Sequence, residues 1–288
     1  METIHDPLYA NLVQELGLGD LRDLTSVKPL TGGVASDIVK VVIGDKSYCL
    51  KCALEKLKVK EDWHAPTHRN AAEYAWLQIA SKVNPQGSVK LFGRSDNEPC
   101  FAMEYLDGQN VYLWKDRLLA GHADVNDATA VGKSIGRIHA MSTRDGFSDT
   151  AFNNQDDFFE LRLDPYLGFT ASQHPEIAAS LNLQVEQLHR ARTVLIHGDV
   201  SPKNILFRNG HPVLLDAECA TMGDPCFDVA FCLNHLVLKA IHLPAARSQM
   251  LEGALALWRA YAREVTWEDV SRLEKRVCEL LPALMLAR

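Results

Sequence analysis

The sequence lacks any apolar run long enough to identify a membrane protein. None approaches the roughly 20 residues that a spanning helix requires. The amino terminus, METIHDPLYANL, has neither a basic start nor a small-residue cleavage site, so it does not look like a secretory signal. We therefore expect a cytoplasmic protein with no membrane partner.

The sequence also lacks a regular framework of cysteines. Its seven cysteines are an odd number scattered from Cys49 to Cys278, a pattern that favours reduced thiols over disulfides. The one C-x-x-C pair, Cys49 and Cys52, lies in a stretch with the alternation of a strand, where residues an odd number of positions apart point to opposite faces. We therefore expect the two thiols to diverge and not to bind zinc.

An excess of positive charge is absent as well. There are 30 Lys and Arg residues against 37 Asp and Glu, a formal net charge of -7. This balance argues against nucleic acid as a partner and favours a cationic substrate. What the chain does have is an ordinary globular composition, with 47% hydrophobic and 23% charged residues in a length of 288, enough for one large domain or two lobes sharing a cleft.

The first hundred residues have the pattern of an antiparallel sheet with one long helix. An amphipathic helix around residues 6–16 precedes five strand-like stretches separated by turn signals. These stretches are VKPL, DIVKVVI, KSYCLKCAL, SVKLFG and EPCFAMEYL. A helix over about residues 66–83, with an apolar stripe that includes Ala72 and Trp76, follows the third strand.

From residue 110 onward the pattern is mostly helical. Helices are predicted over 110–120, 125–141, 155–169 and 174–191, with three more after Pro225. One non-helical segment, TVLIHGDVSPKNILFRNGHPVLLDAE, has short strand-like runs separated by loops rich in Gly, Pro, Asn and Asp. The fold class predicted is α+β. Because functional side chains concentrate in loops on a rigid scaffold, we expect the active site in this segment.

The same segment contains His197-Gly198-Asp199, followed by Asn204 and, after the next apolar strand, by Asp216. A hydroxyl that attacks phosphorus needs a carboxylate to orient it and accept its proton, and a triphosphate needs divalent cations held by hard oxygen ligands. Asp199, Asn204 and Asp216 meet both needs. The alternative is that they are turn and capping residues, as Asp and Asn often are.

The order H-G-D-x-x-x-x-N, followed by an Asp after an apolar strand, resembles the aminoglycoside phosphotransferase and choline kinase family over most of the chain. The resemblance implies a protein-kinase-like two-lobed fold, with an N-lobe of five antiparallel strands and a helix over 1–103, a hinge at 104–109 and a mostly helical C-lobe over 110–288. It implies Asp199 as the catalytic base and Asn204 and Asp216 as Mg²⁺ ligands. ATP is the implied co-substrate, and GTP is not excluded.

Upstream residues match the nucleotide-binding positions of that family. Gly32 and Gly33 lie between the first two strands, where glycines let the backbone approach phosphates, and Ser36 follows them. Lys51 on the third strand and Glu73 on the helix resemble the kinase arrangement in which a lysine contacts the phosphates and a glutamate holds it. The ordinary alternatives are a hairpin turn and two solvated side chains.

Three more positions follow from the resemblance. Glu104 and Leu106, at the end of the fifth strand, would present backbone groups to the adenine. Asp228 matches an aspartate that accepts backbone N–H groups of the catalytic loop. Glu218, two places beyond Asp216, could order metal, loop or substrate.

The acceptor is predicted to be a small molecule, because Asp216 is followed too closely by Asp228 for a peptide-docking segment. Asp156, Asp157 and Glu160 have the spacing of one helix face, which would suit an ammonium group. The alternative is a solvated acidic first turn of a helix.

Two basic residues leave the charge of the acceptor open. Arg162 could instead pair with an acidic substrate. Lys203 would either lie near the transferred phosphoryl group or face solvent.

The sequence thus predicts an ATP-dependent phosphotransferase that acts on a hydroxyl of an amino alcohol, aminoglycoside, sugar or other small molecule. The alternatives are a non-catalytic nucleotide-binding protein with the same fold, or a protein kinase. The oligomeric state is not predicted.

Overall fold

The computed structural model describes residues 7–30, 33–60 and 62–288. In its first part five strands form one antiparallel sheet, in the order β1-β2-β3-β5-β4. The strands are β1 (Leu24–Pro29), β2 (Ser36–Ile43), β3 (Lys46–Ala53), β4 (Leu91–Arg94) and β5 (Cys100–Glu104), and the helices are α1 (Pro7–Glu15) and α2 (Arg69–Val83). The predicted sheet and its helix after the third strand are confirmed.

Alternation along β3 directs its side chains into two cores. Leu50 and Cys52 pack in the cluster that includes Leu12 of α1, whereas Cys49 packs in the cluster that includes Trp76 of α2. The predicted divergence of Cys49 and Cys52 is confirmed. The face of β3 toward α2 is also the one that carries Lys51, which places a charged side chain next to the helix.

The expectation of reduced cysteines throughout is wrong, because a disulfide joins Cys52 to Cys100. The two residues lie directly opposite each other on the neighbouring strands β3 and β5. Their separation along the chain is 48 residues, so the pairing depends on the register of the sheet, which cysteine spacing does not reveal.

The second part is mostly helical, as predicted. Its helices are α3 (Trp114–Leu119), α4 (Val125–Ser142), α5 (Gln155–Phe158), α6 (Phe169–Gln173), α7 (Ala178–Arg190), α8 (Cys226–His242), α9 (Arg247–Ala262) and α10 (Val270–Leu286). The strands are β6 (Val111–Leu113), β7 (Val194–Ile196), β8 (Ile205–Arg208), β9 (His211–Leu214) and β10 (Thr221–Gly223).

Two helical predictions differ from the structure. The segment predicted as one helix over 155–169 is α5, then a wide π-helix over Phe159–Gly168 that contains Pro165, then α6. Proline cannot donate a backbone hydrogen bond, so a regular ladder is interrupted there. The predicted helix over 110–120 begins instead with β6, because Val111–Leu113 pair with β8.

The core of the second part surrounds α8, of which Phe227, Phe231 and Leu236 are fully buried. Among the described residues no single helix is both long and apolar enough to cross a membrane. The helices Cys226–His242 and Pro244–Ala262, which meet at a bend of 118°, reach that length and hydropathy only when they are taken together as one segment.

Candidate active site

The loop between β7 and β8 is held by an aspartate from α8. The carboxylate of Asp228 accepts the backbone N–H of His197 at 2.7 Å and that of Gly198 at 2.9 Å, which confirms its predicted role. Gly198 has a φ of +80°, and a Cβ at that position would lie 2.9 Å from the carbonyl oxygen of Cys219. Glycine is therefore required between the histidine and the aspartate of the motif.

The buried side chain of His197 makes two contacts that fix the orientation of the loop. Its Nε2 lies 3.1 Å from the carbonyl oxygen of Leu215, and its Nδ1 lies 3.2 Å from the backbone nitrogen of Asp199. A neutral ring that donates from Nε2 and accepts at Nδ1 satisfies both contacts. Burial lowers the pKa of His197 and so favours the neutral ring. The loop and the strand before Asp216 are thereby joined.

Asp199 is buried and lies between two cations. Nη2 of Arg162 donates to its Oδ2 at 2.9 Å, and Nζ of Lys203 lies 3.3 Å from the same oxygen. No described residue donates a hydrogen bond to Oδ1. One carboxylate oxygen is thus held in place, and the other has the bonding capacity to accept a proton.

The sequence did not predict that Arg162 holds Asp199. Its guanidinium also donates to the carbonyl oxygens of Gly198 and Leu161, at 3.2 and 2.8 Å. Arg162 comes from the π-helix, so its contact with the catalytic loop depends on how that helix packs. In the sequence, Arg162 was noticed only because it lies near the acidic residues predicted to share one helix face.

Lys51, Glu73 and Asp216 form one buried ion-pair network, as their predicted roles require. Nζ of Lys51 lies 2.8 Å from Oε1 of Glu73 and 2.5 Å from Oδ1 of Asp216. The backbone N–H of Asp216 donates to the same Glu73 oxygen at 3.1 Å. Burial raises the pKa of Glu73, whereas the Lys51 ammonium, acting against burial, holds the pKa of Asp216 well below its usual range. Asp216 is therefore ionised.

The proposed metal ligands are neighbours in the structure. Nδ2 of Asn204 donates to the backbone carbonyl of Asp199 at 3.1 Å, and the carbonyl of Asn204 accepts the N–H of Leu215, the residue before Asp216. An amide oxygen and a carboxylate are hard ligands that suit Mg²⁺, which usually keeps water and phosphate oxygens as its other ligands. Among the described residues no group of three His, Cys, Asp or Glu side chains is placed to bind a metal. Asn204 and Asp216 are therefore of the residue types that would fit a magnesium ion.

The glycine-rich turn is described in part. Gly32 lies outside the described residues, whereas Gly33 and the buried Ser36 line the cavity that also contains Asp199. Ser36 is the first residue of β2. The part of the turn that the structure describes is therefore at the mouth of the same cleft as the predicted base.

Arg69, which no sequence signal marked, connects this turn to the catalytic segment. Its guanidinium donates to the carbonyl oxygens of Ala35 and Leu54 and, at 3.0 Å, to the carboxylate of Glu218. Nη2 of Arg162 lies 3.8 Å from the other Glu218 oxygen. Glu218, whose role the sequence left open, thus orders loops by linking the first turn of α2 to the segment after Asp216.

The predicted hinge residues lie at the end of β5. The Glu104 carboxylate forms an ion pair with Arg208 at 2.8 Å, and its backbone N–H donates to the Lys90 carbonyl. Leu106 follows two residues later and is half-buried. That the backbone of Glu104 and Leu106 binds adenine stays a prediction.

The predicted acidic face for an ammonium group is not formed. Asp156 is 95% exposed and lies 3.8 Å from His189, whereas Asp157 is buried and lies 2.7 Å from His68. Glu160 is exposed within the π-helix, whose wider turns break the three- and four-residue spacing of an α-helix. None of the three acidic residues lines the cavity beside Asp199.

The cavity itself has a volume of about 230 Å³ and lies between the two parts of the molecule. Its polar lining includes Asp199, Arg162, Lys203, Asp216 and Glu218, and the rest is largely apolar. The lining of the cleft thus combines charges that suit phosphate chemistry with apolar side chains.

A sequence model described as the phosphotransferase enzyme family matches residues 26–284. The chain belongs to this family. The match runs from β1 to α10 and includes every residue discussed above as base, metal ligand or nucleotide contact. The resemblance inferred from the H-G-D motif is confirmed.

Solved structures show that this phosphotransferase has the expected two-lobed kinase-like α+β fold. A choline kinase from Cryptosporidium parvum is similar over 98% of this chain and 87% of its own, with a TM-score of 0.58 and 12% identity. The amicoumacin kinase hAmiN is similar over 98% of this chain and 89% of its own, with a TM-score of 0.56 and 15% identity. At these identities the likeness shows the fold.

One curated relative of this phosphotransferase is much longer. Acyl-CoA dehydrogenase family member 10 of Mus musculus is 32% identical over 152 residues, which span 48% of this chain and 14% of that protein. The chain therefore corresponds to a small part of the length of that relative.

Proposed function

We propose that this protein transfers the terminal phosphoryl group of ATP, with Mg²⁺, to a hydroxyl group of a small molecule. The observation that carries the proposal is the convergence of Asp199 with the Lys51–Glu73–Asp216 network in one cleft. Membership of a phosphotransferase family supports the same reaction. The solved structure of hAmiN is a complex with AMP-PNP and Ca²⁺, which supports a metal-bound nucleotide here.

Each charged group in the cleft has a distinct task in this proposal. Lys51, steadied by Glu73, holds the triphosphate, and Asn204 and Asp216 hold Mg²⁺, which neutralises phosphate charge. Oδ1 of Asp199 accepts the proton of the acceptor hydroxyl while Arg162 and Lys203 hold Oδ2. We further propose lobe boundaries at 1–103, 104–109 and 110–288, with the adenine at Glu104 and Leu106.

A small acceptor is favoured by the short connection after the metal aspartate. Only residues 217–225 separate Asp216 from α8, and three of them form β10. A polypeptide substrate needs a longer segment on which to dock. A protein acceptor is therefore disfavoured.

The test is a coupled ADP-release screen over hydroxyl compounds, run with the wild-type chain and with Asp199→Asn. We expect at least one compound to stimulate ADP release, and we expect the variant to lose roughly 10²- to 10⁴-fold in turnover with MgADP affinity retained. Asp156→Asn, at an exposed position, is the matched control and should behave as the wild type.

Normal turnover by Asp199→Asn would remove Asp199 as the base. Tight binding of Mg-nucleotide without phosphoryl transfer to any compound would favour the non-catalytic alternative.

A further inference from the structure

The cavity that contains Asp199 is lined by apolar side chains from three segments of the chain, which we call the apolar wall. It includes Val34 of the glycine-rich turn, Leu57, Val59 and Trp63 of the segment after β3, and Leu161 and Tyr166 of the π-helix. Val34 is 50% exposed although it is a large aliphatic residue, and Trp63 and Tyr166 are half-buried. The wall therefore has apolar surface that a ligand can cover, and covering it stabilises a complex with an apolar ligand.

The apolar wall adjoins the proposed base through Arg162. Nη1 of this guanidinium donates to the carbonyl oxygen of Leu161 at 2.8 Å, and Nη2 donates to Oδ2 of Asp199 at 2.9 Å. One guanidinium group thus contacts both the backbone of the wall and the carboxylate of the base. The carbon atoms that follow an acceptor hydroxyl bound at Asp199 therefore lie beside apolar side chains.

The part of the wall that follows β3 is attached to the glycine-rich turn by its backbone. The N–H of Lys58 donates to the carbonyl oxygen of Val34 at 2.8 Å, and the N–H of Leu57 donates to the carbonyl oxygen of Trp63 at 2.9 Å. These bonds hold the side chains of Leu57 and Trp63 in place relative to the turn that lies at the mouth of the cleft. The same unit can therefore cover both a triphosphate and an acceptor.

Every charged side chain among the described lining residues already has a partner of opposite charge. The pairs are Asp199 with Arg162 and Lys203, Asp216 with Lys51, and Glu218 with Arg69. A charged group on the acceptor would have to displace one member of a pair, which leaves another charge unpaired. The described lining therefore favours neither an ammonium group nor an acid group beside the reacting hydroxyl.

The size of the cavity limits what can lie inside it. Its volume is about 230 Å³. Since one water molecule takes about 30 Å³ in the liquid, this space suits roughly eight to ten non-hydrogen atoms. A small ring or a short chain with one hydroxyl group fits this volume, and any larger acceptor must extend out of the cleft.

We propose that the acceptor is an alcohol whose skeleton next to the reacting hydroxyl is uncharged and apolar, and that Trp63 and Tyr166 select it. This inference rests on the proposed function. The acceptor oxygen forms a bond to the terminal phosphorus, and the bond from that phosphorus to the bridging oxygen breaks. That electron pair leaves with ADP, and the hydroxyl proton passes to the Asp199 carboxylate.

The experiment compares four small alcohols. The apolar probe is 4-methylbenzyl alcohol, and pentaerythritol is a neutral, polar alcohol with the same number of non-hydrogen atoms. The charged counterparts of the apolar probe are 4-(aminomethyl)benzyl alcohol and 4-(hydroxymethyl)benzoate. Binding of each to the chain with MgADP is measured by calorimetry, and turnover is measured by ADP release with MgATP.

We expect the apolar probe to bind at least about tenfold more tightly than each of the other three alcohols, because it alone covers the wall without bringing a charge or several hydroxyl groups into the cavity. Binding of pentaerythritol or of a charged alcohol that equals or exceeds that of the apolar probe would overturn the inference. So would a failure of the apolar probe to bind.

Substitution of Trp63 tests whether the wall selects the acceptor. Trp63→Ala should weaken binding of 4-methylbenzyl alcohol by roughly tenfold, and Trp63→Phe should restore most of it, with the affinity for MgADP unchanged in both variants. Phe169→Ala is the matched control, because Phe169 is an aromatic residue that is 62% exposed and does not line the cavity. An unchanged affinity of Trp63→Ala for the apolar probe, or an equal loss of affinity for MgADP, would contradict a selecting role.

The two readouts separate this inference from the proposed function. Turnover of a charged or polar alcohol in preference to 4-methylbenzyl alcohol would leave the phosphotransferase intact and end the inference. Binding of 4-methylbenzyl alcohol that depends on Trp63, without phosphorylation of any alcohol, would end the proposed function and leave the ligand class standing.

Discussion

In the nucleotide half of the cleft, Lys51, Glu73 and Asp216 form a contiguous ion-pair network although they are distant in the sequence. The acidic group predicted to bind the acceptor instead separates outside the cleft, with Asp157 buried against His68 and Asp156 in solvent. The proposed function gives a physical reason for this contrast. A triphosphate and its metal need particular ligand types, whereas the residues that suit an acceptor depend on the compound that is recognised.

The largest effect is expected from a substitution of Asp216, in the ion-pair network with Lys51 and Glu73. Asp216→Ala removes a metal ligand and leaves the Lys51 ammonium with one buried partner, so we expect Mg²⁺-dependent nucleotide binding to be abolished. Calorimetric titration with MgADP measures this, with Asp45→Ala in the exposed β2–β3 turn as control. An unchanged affinity of Asp216→Ala for MgADP would show that Asp216 does not take part in binding the metal and the nucleotide.

A smaller effect is expected at Arg162, in the acceptor half. Arg162→Gln removes a charge-assisted hydrogen bond to Asp199 worth about 1.5–3 kcal/mol, so kcat should fall by roughly 10- to 100-fold. Because Arg162 acts through the base, the KM for ATP should stay the same. Arg190→Gln, at an exposed ion pair on α7, is the control. A rise in the KM for ATP with an unchanged kcat would mean that Arg162 acts on nucleotide binding and not through Asp199.

Glu73→Gln keeps the size of the side chain and removes the charge that steadies Lys51. We expect the KM for ATP to rise by roughly three- to tenfold, since the network still contains Asp216. Initial-rate kinetics with varied ATP measure this. A fall in kcat alone would mean that Glu73 does not act through nucleotide binding.

The smallest effect is expected from the pair Asp156→Asn and Glu160→Gln, which removes the two exposed charges of the predicted ammonium seat. Any accepted compound should keep its kcat/KM to within about twofold, because isolated surface charges contribute little. Steady-state kinetics with a cationic and an anionic alcohol test this. A tenfold rise in the KM of the cationic alcohol would show that Asp156 or Glu160 binds its ammonium group, as the sequence predicted.

Much of the fold was predictable because its signals are local. Alternation specified the strands of the first sheet, and three- and four-residue spacing specified α2 and the helices after Pro225. The failures have a common cause in long-range contact. Val111–Leu113 are a strand because β8 lies beside them, and the segment from Phe159 forms a π-helix around Pro165.

Within the site, residues that belong to a motif could be predicted, including the positioning residues Glu73 and Asp228, whereas Arg162 and Arg69, which belong to no motif, could not. Asp199, Asn204, Asp216 and Lys51 are of the residue types that a base, metal ligands and a phosphate-binding cation require, and the structure brings them together; their roles stay predictions. Arg69 binds Glu218 from a distant helix, and many surface arginines have the same sequence context.

The sequence by itself determined the family, through the H-G-D-x-x-x-x-N motif and the resemblance that it carries, and the division into a sheet part and a helical part, through short-range periodicity. Tertiary structure alone decided that Cys52 pairs with Cys100, that Arg162 bonds to Asp199, and that Arg69 reaches Glu218. These features arise where segments far apart in the chain pack together, and their energies depend on burial and distance, which a linear sequence does not specify.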